Sequence, residues 1–227
     1  MSRSRCLLAT AALLALLATP STSKATLLNV GDTGIPLGNT FVSGPAFSTD
    51  TLLNTVSGTF SSTVLGVTLS GSYTAEVLQT NPISGPQTLD FAYQVMIDSS
   101  ANDKMGRFTA IVFGPQFTTD VIALSTSAFG FTSGGVAPVS GDRDTTTIGF
   151  NYTGGTQLGV QPGQNTEVMV IRTNATAYTV GAVNLIDGAT STKPAFAPTI
   201  VPEPATLASA LLGLPVVLLF RKLRRKA

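Results

Sequence analysis

Between residues 147 and 152 the chain reads Thr-Ile-Gly-Phe-Asn-Tyr, with Ile148, Phe150 and Tyr152 alternating against Thr147, Gly149 and Asn151. A period of two puts alternate side chains on opposite faces of an extended backbone, so the segment predicts a half-buried strand. Short apolar and β-branched runs of this kind recur along the chain. They predict strands at Thr55 to Leu65, Val67 to Leu78, Leu89 to Ile97, Phe108 to Phe113, Asp120 to Ser125, Thr145 to Tyr152, Thr166 to Arg172 and Tyr178 to Ile186. Turn formers separate them: Asn81-Pro82, Ser84-Gly85-Pro86, Gly114-Pro115, Ser133-Gly134-Gly135, Gly154-Gly155 and Gln161-Pro162-Gly163-Gln164. No amphipathic helix of useful length interrupts the series, and no internal repeat has a fixed period. The pattern predicts an all-β domain over 26–187, an antiparallel β-sandwich, with Val183 to Asp187 closing its last strand. Gly188 to Ile200, with Pro194 and Pro198, reads as a linker.

The two ends break the alternation with continuous apolar runs. At the N-terminus, Arg3 and Arg5 precede an apolar run from Leu7 to Ala18, and Pro20 ends it. Ser23 and Ala25 supply the small residues at −3 and −1 for cleavage after Ala25, so 1–25 reads as a secretory signal peptide with a short signal helix. At the C-terminus, the run from Ala205 to Phe220 would make a helix of roughly 24 Å, which snorkelling Arg221 and Lys222 would extend toward a membrane span. Pro215 interrupts this predicted transmembrane helix, which suits a transient anchor. Arg221, Lys222, Arg224, Arg225 and Lys226 form a basic stop that stays cytoplasmic and puts 26–200 on the far side of the membrane.

Composition sharpens this division. The whole chain of 227 residues has a formal net charge of +1. Once the basic ends and Glu203 are set aside, residues 26–200 hold five Lys and Arg against 11 Asp and Glu, or 5 − 11 = −6. An acidic middle without a basic stripe excludes phosphate-backbone recognition, and no nucleic-acid partner is expected. Cys6 is the single cysteine and precedes the apolar run, so cleavage after Ala25 would leave a chain without thiols or disulfides.

Ahead of the C-terminal helix, Pro202 and Pro204 hold Val201-Pro202-Glu203-Pro204 extended, in the geometry a protease binds as a strand. This motif, the apolar helix with Gly213 and the basic end resemble, in that order, the PEP-CTERM sorting signal of exported bacterial proteins. The resemblance covers 201–227. It implies processing by an exosortase, an integral-membrane peptidase of bacteria that make extracellular polysaccharide, and transient residence in the inner membrane. A separate likeness concerns the domain: Leu158 to Arg172, a Pro-Gly turn feeding a Val-rich strand, resembles a segment of many Ig-like sandwich domains. An Ig-like or jelly-roll arrangement is expected.

Candidate chemistry in the middle of the chain is sparse. The chain has no His, which excludes Ser-His-Asp and Cys-His constellations. Carboxylates remain, and Asp142 with Asp144, or Asp98 with Asp103, are the pairs that could serve glycoside hydrolysis. Turn acids of this spacing are also ordinary solvated loop residues. Sugar binding by stacking wants exposed aromatic faces, but there is no Trp, and Tyr73, Tyr93, Tyr152 and Tyr178 fall inside predicted strands. Asp98, Asn102 and Asp103 concentrate oxygen ligands between two strands and form a calcium candidate, against the alternative that Asp98 and Asn102 cap a turn. Asn151-Tyr-Thr153 and Asn174-Ala-Thr176 match the N-glycosylation pattern, which a bacterial sorting signal makes a coincidence. Together these features predict an exported, non-enzymatic surface or extracellular-matrix protein without a cofactor. The alternative is a permanently anchored exterior module that binds polysaccharide or calcium.

Overall fold

The computed structural model describes residues 26–38, 46–80 and 87–200. The signal segment with Ser23 and Ala25, the sorting motif Val201 to Pro204, the apolar run and the basic stop from Arg221 to Lys226 lie outside the described residues, as do the turn residues 81–86. No helix among the described residues is long and apolar enough to cross a membrane.

The described chain is all-β. Its strands are β1 (Thr26–Leu27), β2 (Thr51–Val64), β3 (Val67–Gln79), β4 (Leu89–Ile97), β5 (Arg107–Ile111), β6 (Thr119–Leu124), β7 (Ser140–Arg143), β8 (Thr147–Asn151), β9 (Thr153–Gly154), β10 (Gln157–Leu158), β11 (Val168–Thr173), β12 (Ala177–Asp187) and β13 (Ala189–Thr199). Two short 3-10 turns, Phe47–Thr49 and Ala128–Gly130, are the described helical pieces. One sheet has the order β1-β6-β11-β4-β3-β2, the other β13-β12-β5-β8-β7, and β9 and β10 form a small ribbon. Neighbouring strands in these sheets are antiparallel throughout.

A single core lies between the two large sheets. Tyr73, Val77, Phe91, Tyr93 and Ile171 of the six-stranded sheet meet Phe108, Ile148, Phe150, Val183 and Leu185 of the five-stranded one. The Tyr93 and Phe108 rings sit 5.3 Å apart. As the alternation predicts, Ile148, Phe150 and Tyr152 are all fully buried. Tyr73 and Tyr93 are likewise buried, and Tyr178 packs edge-on against Phe196, so the tyrosines serve packing and not an exposed stacking surface.

β11 departs from alternation: every residue from Val168 to Thr173 is buried. It lies centrally in its sheet, and its outer face is covered by a second cluster in which Phe47 and Phe131 pack onto Leu78, Ala92, Ile122 and Val170. A strand covered on both faces reads as a continuous apolar run.

Residues 188–200 correct an expectation. They are not a linker: Ala189–Thr199 is β13, paired with β12 along its whole length. Ala195 and Ala197 are buried, and the Tyr93 hydroxyl donates to the Phe196 carbonyl at 3.1 Å. The domain therefore extends through Thr199. The prolines that suggested a linker are compatible with an edge strand, because Pro194 and Pro198 share one pairing phase, at which the N–H would point away from β12.

The registers also fix the two ends of the molecule. The Leu65-Gly66 turn, the 98–103 loop and the β12–β13 turn gather at one end, linked by Asn102, whose Oδ1 accepts from the Thr68 N–H, and by the Arg107–Ile186 pairing. Asp90, Thr173 and Thr199 lie at the opposite end, where the chain leaves for residue 201.

Candidate functional site

Two strands that should be wholly apolar each carry a charge. Asp90 interrupts Leu89-Asp90-Phe91 on β4, and Arg172 interrupts Ile171-Arg172-Thr173 on β11. The register sets them opposite each other, with Asp120 of β6 on the other side of Arg172. Arg172 Nε lies 2.9 Å from Asp90 Oδ1, and its NH2 lies 2.8 Å from Oδ2. Asp50, which follows the first 3-10 turn, brings its Oδ2 to 3.6 Å from the same NH2. Burial pushes the Asp90 carboxyl up, against the lowering effect of hydrogen bonds from Arg172 and Asp50.

A cavity of about 390 Å³ opens beside this group, lined by Leu27, Thr88, Thr118, Asp120, Arg172, Thr173 and Asn174. Its exposed lining is mostly apolar, and the Thr173 hydroxyl and the Arg172 guanidinium are committed to Leu89 O and Asp90, which leaves the exposed Thr118 among the polar groups a ligand could meet. Asn174 is partly committed, since its Oδ1 accepts from the Thr118 N–H at 3.0 Å. Glu76, two residues before Leu78 on the same outer face, is 3% exposed, and its Oε2 has no hydrogen-bond partner among the described residues. Burial pushes its carboxyl up to about 7.

A second buried cation works without an acid. Arg143 of β7 donates to the carbonyls of Leu28 (3.0 Å), Gly114 (3.1 Å) and Phe117 (2.6 Å) and to Thr119 Oγ1 (2.9 Å). These bonds tie the N-terminal segment to the 114–117 turn, and burial lowers the guanidinium pKa. It is a structural clamp.

The acids singled out in the sequence fall in separate places. Asp142 is gripped by Arg107, whose NH2 lies 2.6 Å from Oδ1, and accepts from Asn151 Nδ2 at 2.7 Å. Burial would raise its pKa, but these hydrogen bonds outweigh it and hold the carboxyl below the usual range. Asp144 instead accepts from the Thr145 N–H at 2.6 Å and caps its own exposed turn. Asp142 and Asp144 are thus employed by different partners. Asn151, an N-glycosylation match, also receives Arg107 on its Oδ1. Gly149 leaves room for this group, because a Cβ there would run into the Arg107 guanidinium and lie 2.6 Å from Asp142 Oδ1.

Asp98, Asn102 and Asp103 share one loop, whose hydrogen bonds run to neighbouring backbone. The Asp98 backbone is held in a turn, its N–H donating to Ser70 O and its carbonyl accepting from the Ala101 N–H. The Asn102 side chain braces the β2–β3 turn through Thr68. Asp103 accepts from the Lys104 N–H and meets Asp187 at the end of β12; burial, with the Asp103 carboxyl beside it, raises the Asp187 pKa. Among the described residues no group of three or more His, Cys, Asp and Glu is placed to hold a metal ion.

The Arg172 group escaped the sequence reading, although a signal was present: single opposite charges inside two otherwise apolar strands need partners. Asp50 and Asp120 carried no such signal, because only the strand order brings them together. Comparison of the chain with models of known families, with curated proteins and with solved structures found no match in any of the three.

Proposed function

We propose that the chain is an exported, non-enzymatic surface or extracellular-matrix protein, delivered through its C-terminal segment and processed by an exosortase at Val201-Pro202-Glu203-Pro204. The observation that carries this reading is the order of three features at the C-terminus: an extended Pro-Glu-Pro, an apolar run with Gly213, and the basic group Arg221 to Lys226. The domain is read as a β-sandwich of Ig-like or jelly-roll kind, flanked by a signal helix and a transmembrane helix. Its strands run from Thr26 to Thr199, so cuts after Ala25 and within the sorting motif remove none of them. That compatibility supports the reading. Mass spectrometry of the mature protein is expected to find Thr26 at the N-terminus and a C-terminus between Val201 and Pro204. Replacing Pro202, Glu203 and Pro204 with alanine should leave full-length precursor in the membrane, and unaltered processing would reject the proposal.

The cavity beside Arg172 favours a second reading, a permanently anchored exterior module that holds polysaccharide. In that case the mature chain keeps its tail, and Thr118→Val, at an exposed position of the lining, weakens retention on the host's extracellular polysaccharide. Calcium remains part of this alternative through Asp98, Asn102 and Asp103, tested by calorimetric titration of the ion alone.

A further inference from the structure

Open sheets have edges whose unpaired N–H and C=O groups can recruit another strand, and natural proteins guard them by shortness, charge or proline. Among the described residues the two large sheets have four edges, and three of them are guarded. β1 has 2 residues, β7 has 4 and carries Asp142 and Arg143, and β13 carries Lys193, Pro194 and Pro198. The fourth is β2, which has 14 residues, TLLNTVSGTFSSTV, without a charge or a proline. Thr55, Ser57, Thr59, Ser61 and Thr63 are all exposed.

The hairpin turn defines which main-chain groups are free. Leu65 and Gly66 both have positive φ, 52° and 83°, between the paired Val64 and Val67. In a two-residue turn of this type the closing pair exchanges both hydrogen bonds. Counting back by twos, even-numbered residues to Asn54 bond to β3, and the odd-numbered residues point their N–H and C=O at the open edge. Phe60 is buried, so even side chains face the core and odd side chains stand on the solvent face. Ser57, Thr59, Ser61 and Thr63 therefore offer both main-chain groups with a hydroxyl beside them, and Thr55 offers its carbonyl, its N–H donating to Asn54 Oδ1 at 2.9 Å.

We propose that β2 pairs antiparallel with β2 of a second copy of this chain, about a two-fold axis at Thr59. That register sets Thr59 against Thr59, Ser57 against Ser61 and Thr55 against Thr63, and forms about eight main-chain hydrogen bonds with the Thr55 N–H left on Asn54. On the solvent face every cross-strand pair is hydroxyl against hydroxyl, a favourable pairing with no charge to oppose it. The contact is isologous and closes on itself. The bulge between Leu52 and Asn54 ends the regular run on one side and the hairpin turn ends it on the other, so a slip by two residues loses pairs without gaining any. Self-association of this kind joins six strands from each copy into one sheet and gives a surface protein a paired form, independent of how its tail is processed.

The experiment uses the full chain in detergent with Cys6→Ser as background, so that tail-driven association is common to all variants. Thr59→Cys is expected to give a disulfide-linked dimer under mild oxidation, because paired Cα atoms about 5.5 Å apart fall within disulfide reach. Ser57→Cys alone should cross-link poorly, but efficiently when mixed with Ser61→Cys, and exposed Thr145→Cys on the other sheet should stay monomeric. Thr59→Lys, which sets like charges at the axis without touching the core, should raise the dimer dissociation constant at least about tenfold with an unchanged unfolding midpoint. Equal cross-linking at Thr59 and Thr145, or a self-association indifferent to Thr59→Lys, overturns the proposal. The second outcome would assign the edge to a strand from a different protein.

Discussion

Arg172 on β11 and Asp90 on β4 face each other across one ladder step and meet through two parallel contacts of 2.9 and 2.8 Å, both side chains buried. Breaking such a pair from one side leaves an uncompensated buried charge, which costs about 3–5 kcal/mol. Arg172→Met is expected to be the harsher change, because Asp50, Asp90 and Asp120 then lose their common cation. The Asp90 carboxyl, already raised by burial, rises further once the arginine that lowers it is gone, so the variant binds more protons folded than unfolded and loses stability as pH rises. Urea midpoints at pH 5 and pH 8 should diverge from wild type by more at pH 8. Equal deficits at both pH values would contradict this account.

Glu76 offers the reverse experiment. Its carboxyl titrates near 7 in the fold, above an ordinary carboxylate, so the stability linked to its protonation is complete in acid and is lost as pH rises toward and through 7. Glu76→Gln keeps the shape and removes the charge. It is expected to stabilise the protein at pH 8 by on the order of 2 kcal/mol and to change little near pH 4. A midpoint shift that ignores pH would mean Glu76 is solvated or paired.

Leu65 sits at the tip of the β2–β3 hairpin with φ 52° and 99% exposure. A branched apolar side chain in the left-handed region is strained and gains nothing from burial there. Asn in this place gives Asn-Gly, the dipeptide suited to this turn type. Leu65→Asn should raise the unfolding free energy by about 0.5–1 kcal/mol, measured by urea unfolding. A loss of stability would indicate that the exposed leucine has a partner.

The same hairpin illustrates what the sequence discloses. Val67 to Leu78 and Leu89 to Ile97 were legible as strands because apolar and β-branched residues cluster between turn formers, and the structure places β3 and β4 there within a residue. β7 was not legible: Ser-Gly-Asp-Arg has neither apolar content nor alternation, and it is a strand because β8 offers a ladder and Arg143 finds four oxygens. β13 was misread because proline signals a break wherever the strand's position in the sheet is unknown. The site was harder still. Asp142 and Asp144 are neighbours in sequence but face different partners, whereas Asp50, Asp90 and Arg172 are 40 and 82 residues apart and meet only through strand order.

Asp142 ties β7 to β5 and β8 through Arg107 and Asn151, over a floor that Gly149 keeps clear. Its carboxyl lies below the usual range, so its contribution to stability is present above the unfolded pKa and is lost as pH falls through the folded value. Asp142→Asn removes that acid-side loss along with the ion pair. The variant should be less stable than wild type at pH 7 by about 1–2 kcal/mol and converge with it as pH falls through the lowered folded-state value. Gly149→Ala should reproduce the neutral-pH loss by pushing the guanidinium aside, because the intruding methyl group meets Arg107 and Asp142 together. Combining the two changes should then cost less than the sum of the single effects, since both remove the same contact. Thermal midpoints across pH 2.5–7 for the two variants and their combination decide the matter: strict additivity would show that Gly149 acts through the strand backbone and not through the Arg107–Asp142 pair.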